Sequence, residues 1–278
     1  MDAGLPVSEM AENVQLQRSR GEGRLRVACS EGATRIQTLY QDGSAKIRVP
    51  RLPGSELEAV LINTSGGLTG GDQLKWQIEA GQDSNLTVTT QACEKVYRAL
   101  DGVADVRTRI SVGRNAFVAW LPQETILFDR AALSRNLEVS LAEGARFLAV
   151  EPIILGRTGM GEEVITGHLT DQWRIFRGDR LLHAEALSII GAFEPVRNAS
   201  AGLMGAGAFA TLFYAGRDVE ARLAKVRSLC DQFEIAFSFW NDKLVMRLLA
   251  KNGYELRQKL VPLLRDLSKS ELPRIWHS

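Results

Sequence analysis

The sequence predicts a mainly β protein with a few α-helices near its C-terminus, and three observations lead to this prediction. From Leu25 onward, short segments alternate apolar and polar residues with period two, as half-buried strands do. Turn signals such as Asp42-Gly43 and Asp101-Gly102 separate these segments at short intervals. Apolar residues at helical spacing appear only after Gly216. Many short strands with no helices between them indicate one all-β body.

The clearest strand segments lie in the first half of the chain, and each places apolar side chains on one face. They are Leu74-Trp76-Ile78, Leu86-Val88, Val106-Thr108-Ile110-Val112 and Leu137-Val139-Leu141.

The C-terminal part is predicted to be helical and to pack on the β body. Its apolar residues fall into three sets at helical spacing: Val219, Leu223, Val226 and Cys230; Leu244, Val245, Leu248 and Leu249; and Leu256, Leu260, Leu263, Leu264 and Leu267. We therefore expect a flexible segment over residues 1–23 and a single domain over 24–278, with the β body at 24–216 and the helical part at 217–278.

Bulk properties exclude several classes of function. The net charge of +1 over 278 residues gives no reason to expect a nucleic acid or an anionic membrane as partner. Three cysteines far apart argue against a disulfide framework and against a thiolate metal site. No signal peptide is visible, and the uncharged run from Asn198 to Gly216 is rich in glycine, which favours two buried strands around a turn over a membrane span. We expect a cytoplasmic protein.

Known catalytic motifs are missing from the sequence. There is no GxSxG, HExxH or GxxxxGK[ST] pattern, and His168, His183 and His277 are the only histidines. A nucleophilic Cys93 assisted by His183 is an open alternative, although a cysteine in a strand is usually inert. We expect no enzymatic activity.

One glycine-rich loop stands out, at Ser65-Gly66-Gly67-Leu68-Thr69-Gly70-Gly71-Asp72. It lacks the lysine of a phosphate-binding loop, and a strand pattern follows it in place of a helix N-terminus. Asp72 at its end either contacts a metal ion or caps the turn by accepting backbone N–H groups.

Several carboxylates lie in apolar surroundings, where an ionised group needs a cation or hydrogen-bond donors. They are Glu124, Asp129, Glu151 and Glu185. One interpretation is pairing with nearby arginines such as Arg98, Arg130 or Arg157, or exposure at a strand edge. The other is an interior acidic site that, together with Asp72, holds a divalent cation or water. Because histidine and cysteine are scarce, such a site would hold a late transition metal only loosely, which suits passage better than storage.

The chain resembles the UreD (UreH) family of urease accessory proteins. The resemblance covers about residues 25–215 and rests on motifs in the family's order: Ser65 to Asp72, Thr89-Thr90-Gln91-Ala92 with Lys95-Val96-Tyr97-Arg98, Trp120 to Phe128, and Gly156-Arg157 with Gly161-Glu162.

The resemblance implies an extended β body of helix-like stacked strands and a non-enzymatic role. It implies a scaffold that joins apo-urease to UreF, which recruits the GTPase UreG, so that nickel reaches the urease active site. Ni²⁺ would be in transit through an internal tunnel, with no permanently bound cofactor. Motif positions Asp72, Thr89, Thr90, Gln91, Glu124 and Glu162 are implied as candidates for this route, and the burial argument adds Glu151 and Glu185.

Two other interpretations stay open. One is an uncharacterised transferase or hydrolase that uses the loop at 65–72 as an anion cradle. The other is a β scaffold without metal traffic. For the surface that would face UreF, the C-terminal helices and the segment from Ala199 to Gly216 are the leading candidates, because exposed apolar strands would need a partner.

Overall fold

A computed structural model describes residues 17–51, 54–157, 161–268 and 271–277. It contains seventeen strands and three α-helices among these residues, and the predicted mainly β fold with stacked strands is confirmed. The strands are β1 Arg20–Ser30, β2 Ala33–Gly43, β3 Ala45–Arg48, β4 Leu57–Asn63, β5 Gln73–Ala80, β6 Asn85–Thr90, β7 Glu94–Val96, β8 Ala104–Val112, β9 Phe117–Leu121, β10 Thr125–Leu127, β11 Ala132–Leu141, β12 Arg146–Leu155, β13 Thr166–Arg177, β14 Arg180–Ala192, β15 Ala208–Ala215, β16 Ala236–Trp240 and β17 Lys243–Ala250. The helices are α1 Glu194–Asn198, α2 Val219–Phe233 and α3 Gly253–Ser268, and a 3-10 helix spans Arg274–His277.

The strands form two sheets, and the chain alternates between them. One sheet has the order β14-β13-β11-β8-β5-β1-β2, and the other has the order β16-β17-β15-β12-β9-β6-β4-β3. In the second sheet β10 also pairs with β12, and β7 pairs with β10. Within each sheet the central neighbours are parallel: β5, β8, β11 and β13 in the first, and β4, β6, β9 and β12 in the second. This alternation produces stacked coils of chain, while antiparallel hairpins complete both ends.

The main core lies between the two sheets. It contains the inward-facing residues of the alternating segments, including Trp76, Val88, Ile110, Trp120 and Phe147. A second core lies on the other face of the ten-stranded sheet, where α2 and α3 pack against it. Since β12, β15 and β17 are therefore covered on both faces, they consist mostly of buried residues.

The predicted helix around Leu244 to Leu249 is wrong, because these residues belong to β17. Val245 faces the core between the sheets, whereas Leu244, Met246 and Leu248 face the helices. A strand buried on both faces loses the alternating pattern, so its apolar run imitates helical spacing. The C-terminal part at 217–278 thus combines two strands with α2 and α3.

The glycine-rich run from Asn198 to Gly216 forms one strand, β15, and the predicted pair of strands is wrong. Turns occupy the residues before β15, where Gly205 has a φ of +81° that a side chain would disfavour. At the N-terminus, β1 already starts at Arg20, and residues 1–16 of the expected lead-in lie outside the described residues. In the described part of the chain, no helix has both the length and the apolar character to cross a bilayer.

Candidate functional site

The glycine loop connects β4 to β5 and is closely packed against neighbouring chain segments. A Cβ on Gly70 would lie 2.1 Å from the carbonyl oxygen of Asp101, and a Cβ on Gly67 would lie 2.5 Å from the Tyr97 ring. The glycines are thus required for close approach of the backbone.

Asp72 caps this loop. One carboxylate oxygen accepts the Ser19 N–H at 2.7 Å and the other accepts the Thr69 N–H at 2.8 Å. Only 4% of Asp72 is exposed, so these donors compensate the buried charge. Of the two alternatives for Asp72, capping is the one that the geometry displays.

An outer cavity of about 210 Å³ opens beside the loop. Gly66 and Gly67 line one side, and Thr90 to Lys95 line the other. Gln91 is exposed at its rim. Thr90 is oriented by two hydrogen bonds, because its hydroxyl donates to the Ala92 carbonyl at 3.1 Å and accepts the Gln123 N–H at 2.9 Å.

Glu94 lies where the outer cavity adjoins a second, inner cavity, since both are lined by Leu74, Trp76, Thr90 and Glu94. The Asn63 side-chain amide donates to both Glu94 oxygens, at 3.2 and 3.3 Å. Burial raises the pKa of Glu94 to about 7; the Asn63 hydrogen bond opposes the rise and the nearby Asp72 carboxylate adds to it. Glu94 can therefore change its charge near neutral pH.

The inner cavity, about 60 Å³ in volume, lies between the two sheets. Glu151 is its most buried carboxylate. The Trp120 indole donates to Glu151 Oε1 at 2.8 Å, and Arg135 pairs with Glu151 Oε2 at 2.6 Å. Arg135 also pairs with Asp171 at 2.6 Å, so one guanidinium is shared by two buried acids. Burial raises the pKa of Glu151, and Arg135 works against that rise.

Glu124 lies beside the inner cavity but serves as an anchor for α3. Arg257 donates to both Glu124 oxygens, the shortest contact being 2.8 Å, and also to Gln123 Oε1. The Cys93 thiol donates to Glu124 Oε2 at 3.3 Å. Burial and the Glu124 charge raise the pKa of Cys93 to about 11, so the thiol stays protonated and is a poor nucleophile at neutral pH.

The remaining sequence-predicted residues lie apart from these cavities. The Thr89 hydroxyl donates to the Leu121 carbonyl at 2.7 Å. Glu162 pairs with Arg157 at 2.8 Å beside a different surface cavity, lined by Tyr97 and Arg98. Glu185 pairs with Arg247 at the far edge of the sheets. The structure thus brings together Thr90, Gln91 and Glu151, with Asp72 and Glu124 nearby, and separates Glu162 and Glu185 from them.

Within the described ranges, no three His, Cys, Asp or Glu side chains converge in a way that could hold a metal ion. The carboxylates that line the two cavities are Glu94, which lines both, and Glu151, which lines the inner one.

Comparison with known proteins gives the family. The family model described as UreD urease accessory protein matches residues 19–277. The chain belongs to the UreD family. Proteins named urease accessory protein UreD from Rhizobium johnstonii, Rhizobium etli and Agrobacterium fabrum are 49%, 51% and 48% identical to it. These alignments cover 96%, 94% and 95% of this chain and 98%, 96% and 93% of the three relatives.

In this UreD-family chain, the residues that the motifs did not reveal are Glu94, Arg135 and Arg257. Glu94 lies between the motif segments Thr89 to Ala92 and Lys95 to Arg98, and that position is the signal that could have found it. Arg135 and Arg257 had no such signal, because their partners are distant in sequence and lie on other strands or loops.

The glycine loop of this UreD-family chain is poorly suited to bind an anion. The Leu68 N–H donates to the Lys95 carbonyl at 2.7 Å, and the Ser65 N–H donates to Asn63 Oδ1 at 3.1 Å. The Thr69 N–H is bound by Asp72, a carboxylate that would repel an anion. Three backbone donors of the loop are therefore already engaged, which leaves fewer for an anion.

Proposed function

We propose that this chain is a non-catalytic urease maturation factor of the cytoplasm. It would act as a scaffold that joins apo-urease to UreF, and through UreF to UreG, and would help to deliver nickel to the urease active site. Membership of the UreD family supports the role in maturation. The observation that supports a nickel path is the pair of adjoining cavities, which extends from the surface at Gln91 to the buried Glu151.

The chemistry of the cavity walls favours passage over capture. A divalent cation that enters a protein interior needs oxygen donors to replace part of its hydration shell. Glu94 at the junction of the cavities and Glu151 in the inner cavity are such donors, with the Thr90 hydroxyl between the two cavities. Hard oxygen donors without imidazole or thiolate bind Ni²⁺ weakly, so an ion would not be trapped.

Arg135 contributes to this weak binding. Its guanidinium lies 2.6 Å from Glu151 and 2.6 Å from Asp171, and it also donates to the Thr125 hydroxyl at 3.2 Å. A cation at Glu151 would have to compete with a fixed positive charge, and the electrostatic repulsion would shorten its stay. The proposed order along the path is Gln91, Thr90, Glu94 and Glu151. Asp72 and Glu124 support its walls, and Thr89, Glu162 and Glu185 stay as weaker candidates.

The test uses the assembled complex of apo-urease, UreF, UreG and this chain. Glu94→Gln removes the charge at the junction of the cavities and keeps the shape. We expect the complex to assemble normally and the urease to contain several-fold less nickel, with activity reduced in proportion. The matched control is Glu138→Gln, at an exposed carboxylate on the outer face of the seven-stranded sheet, which should load nickel like the unmodified chain.

The result that would overturn the nickel path is normal nickel content with Glu94→Gln and with a second variant, Thr90→Val, that removes the hydroxyl shared by both cavities. Failure of the unmodified chain to bind apo-urease or UreF would overturn the scaffold role.

A further inference from the structure

The two sheets both end at one side of the molecule, and a groove lies between their last strands. Among the described residues, β14 pairs only with β13 and β16 pairs only with β17, so each has a free edge there. The groove has a volume of about 540 Å³. We call it the edge groove; it is lined by Leu181, Leu182, His183, Ala184, Glu185, Ala236, Phe237, Ser238, Trp240, Lys243, Val245 and Arg247.

The free edge of β14 carries little protection against pairing with another strand. It is thirteen residues long, and between Leu181 and Gly191 it contains no proline, lysine or arginine. Leu181 and Ile190 are 47% and 66% exposed. Natural sheets usually shield long edges with charges, prolines or bulges. In β14 the pairing with β13 shifts register once, before His183, and Glu185 is its single carboxylate. The regularly paired part from His183 to Ile190 is therefore the part suited to receive an added strand.

The floor of the edge groove contains a buried ammonium group. Lys243 is 3% exposed; its ammonium donates to the Leu182 carbonyl and lies 4.3 Å from the centre of the Trp240 ring. The neighbouring carboxylates are engaged elsewhere, because Glu185 pairs with Arg247 and Asp242 pairs with Arg177. No carboxylate of a described residue forms an ion pair with Lys243, and a buried charge without an opposite charge is costly.

His183 adds a second unsatisfied group to the same wall. Its ring stacks on Phe213 at 5.0 Å between centroids, and Nε2 is buried with no hydrogen-bond partner among the described residues. Glu185 Oε2 lies 3.8 Å from Nε2, too far for a hydrogen bond. Burial, Lys243 and Arg247 lower the pKa of His183 to about 4, so the imidazole is neutral at pH 7. A neutral imidazole with its proton on Nε2 would donate to an acceptor placed in the groove.

We propose that the edge groove binds an extended, acidic segment of a partner protein. The segment adds as a strand to the free edge of β14 and places one aspartate or glutamate carboxylate against Lys243 and His183. With a neutral histidine, the charged groups of the lining sum to +1, since Lys243 and Arg247 face one carboxylate, Glu185. This charge complements an acidic side chain, and alternate side chains of an added strand would point into the groove.

The inference rests on the proposed function only in its choice of partners, so the first test uses the chain assembled with apo-urease and UreF. Hydrogen–deuterium exchange should show new protection of β14 amides, and none at the free edge of β2 at the other end of the same sheet. A carbodiimide, which couples a lysine to a contacting carboxylate without a spacer, should join Lys243 to an Asp or Glu of a partner. An assembled complex with unchanged β14 exchange and no Lys243 cross-link would overturn the inference and leave the scaffold role intact.

The second test separates binding from folding. Lys243→Met removes the ammonium and keeps the apolar stem. If the lysine is kept for a partner, the free variant should melt at the same temperature as the unmodified chain or higher, while its affinity in the complex falls about 10- to 100-fold. Lys75→Met, at an exposed lysine of β5, is the matched control and should change neither the melting temperature nor the affinity. A lower melting temperature with unchanged affinity would show that Lys243 is structural and would overturn the inference; this comparison of melting temperatures needs no partner.

Discussion

Arg257 on α3 donates to both carboxylate oxygens of Glu124, a residue 133 positions earlier that lies in the loop between β9 and β10. The same guanidinium donates to the Ile275 carbonyl at 3.0 Å and lies 5.2 Å from the Trp276 ring. Trp276 in turn donates to the Leu121 carbonyl at 3.2 Å. The C-terminal helix and tail are therefore fastened to the loop that carries Gln123, which lines the inner cavity.

Arg257→Met should destabilise the chain by about 3 kcal/mol, because it leaves the buried Glu124 carboxylate without its cation. Urea unfolding at pH 7 measures this loss. Arg109→Met provides the control, since the Arg109–Glu138 pair is exposed and should contribute less than about 1 kcal/mol. Equal losses in the two variants would contradict the anchoring role of Arg257.

The buried triad predicts a non-additive result. Arg135→Met alone leaves Glu151 and Asp171 buried without a cation and should cost about 4 kcal/mol. The triple variant Arg135→Met, Glu151→Gln, Asp171→Asn removes all three charges and should recover most of that stability. Thermal unfolding compares the stability of the two variants. If the triple variant is as unstable as Arg135→Met alone, the contribution of Arg135 to stability comes from packing and not from its charge.

The strand pattern was predictable because the alternation of Leu137, Val139 and Leu141 is a local property of the sequence. The pairing partners of the buried acids could not be predicted from the sequence. Nearby arginines such as Arg130 and Arg157 were natural candidates, yet Glu151, Glu124 and Glu185 pair with Arg135, Arg257 and Arg247. These contacts depend on which strands the two sheets bring face to face, and that information is not contained in any short segment.

The anion-cradle alternative makes a prediction at Gly70. A Cβ there would overlap the Asp101 and Gly102 carbonyl oxygens, so Gly70→Ala should cost about 2 kcal/mol through overpacking. The cradle alternative instead predicts loss of binding to a nucleotide or phosphoester. Calorimetric titration of the unmodified chain with both ligand classes, alongside unfolding of Gly70→Ala, separates the two. Saturable binding of a nucleotide or phosphoester that is lost in the Gly70→Ala variant would support the anion-cradle alternative.

Glu94 predicts a pH dependence of stability whose sign follows from its raised pKa. The ordinary glutamate pKa of about 4.5 describes the unfolded chain, and burial raises the folded value to about 7. Between these values the folded state binds more protons than the unfolded state, so the free energy of unfolding should fall as the pH rises from about 4.5 to 7 and should level off above 7. We expect the contribution of Glu94 to this fall to be about 3 kcal/mol.

Glu151 contributes in the same direction, so the Glu94 part is obtained as a difference. Urea unfolding of the unmodified chain and of Glu94→Gln at pH 5, 6, 7 and 8 gives two curves, and the variant curve should be flatter by the amount due to Glu94. Glu138→Gln, at an exposed carboxylate, should reproduce the unmodified curve. If Glu94→Gln were equally steep, Glu94 would titrate like an exposed glutamate, and it could not be the carboxylate at the junction of the cavities whose charge changes near neutral pH.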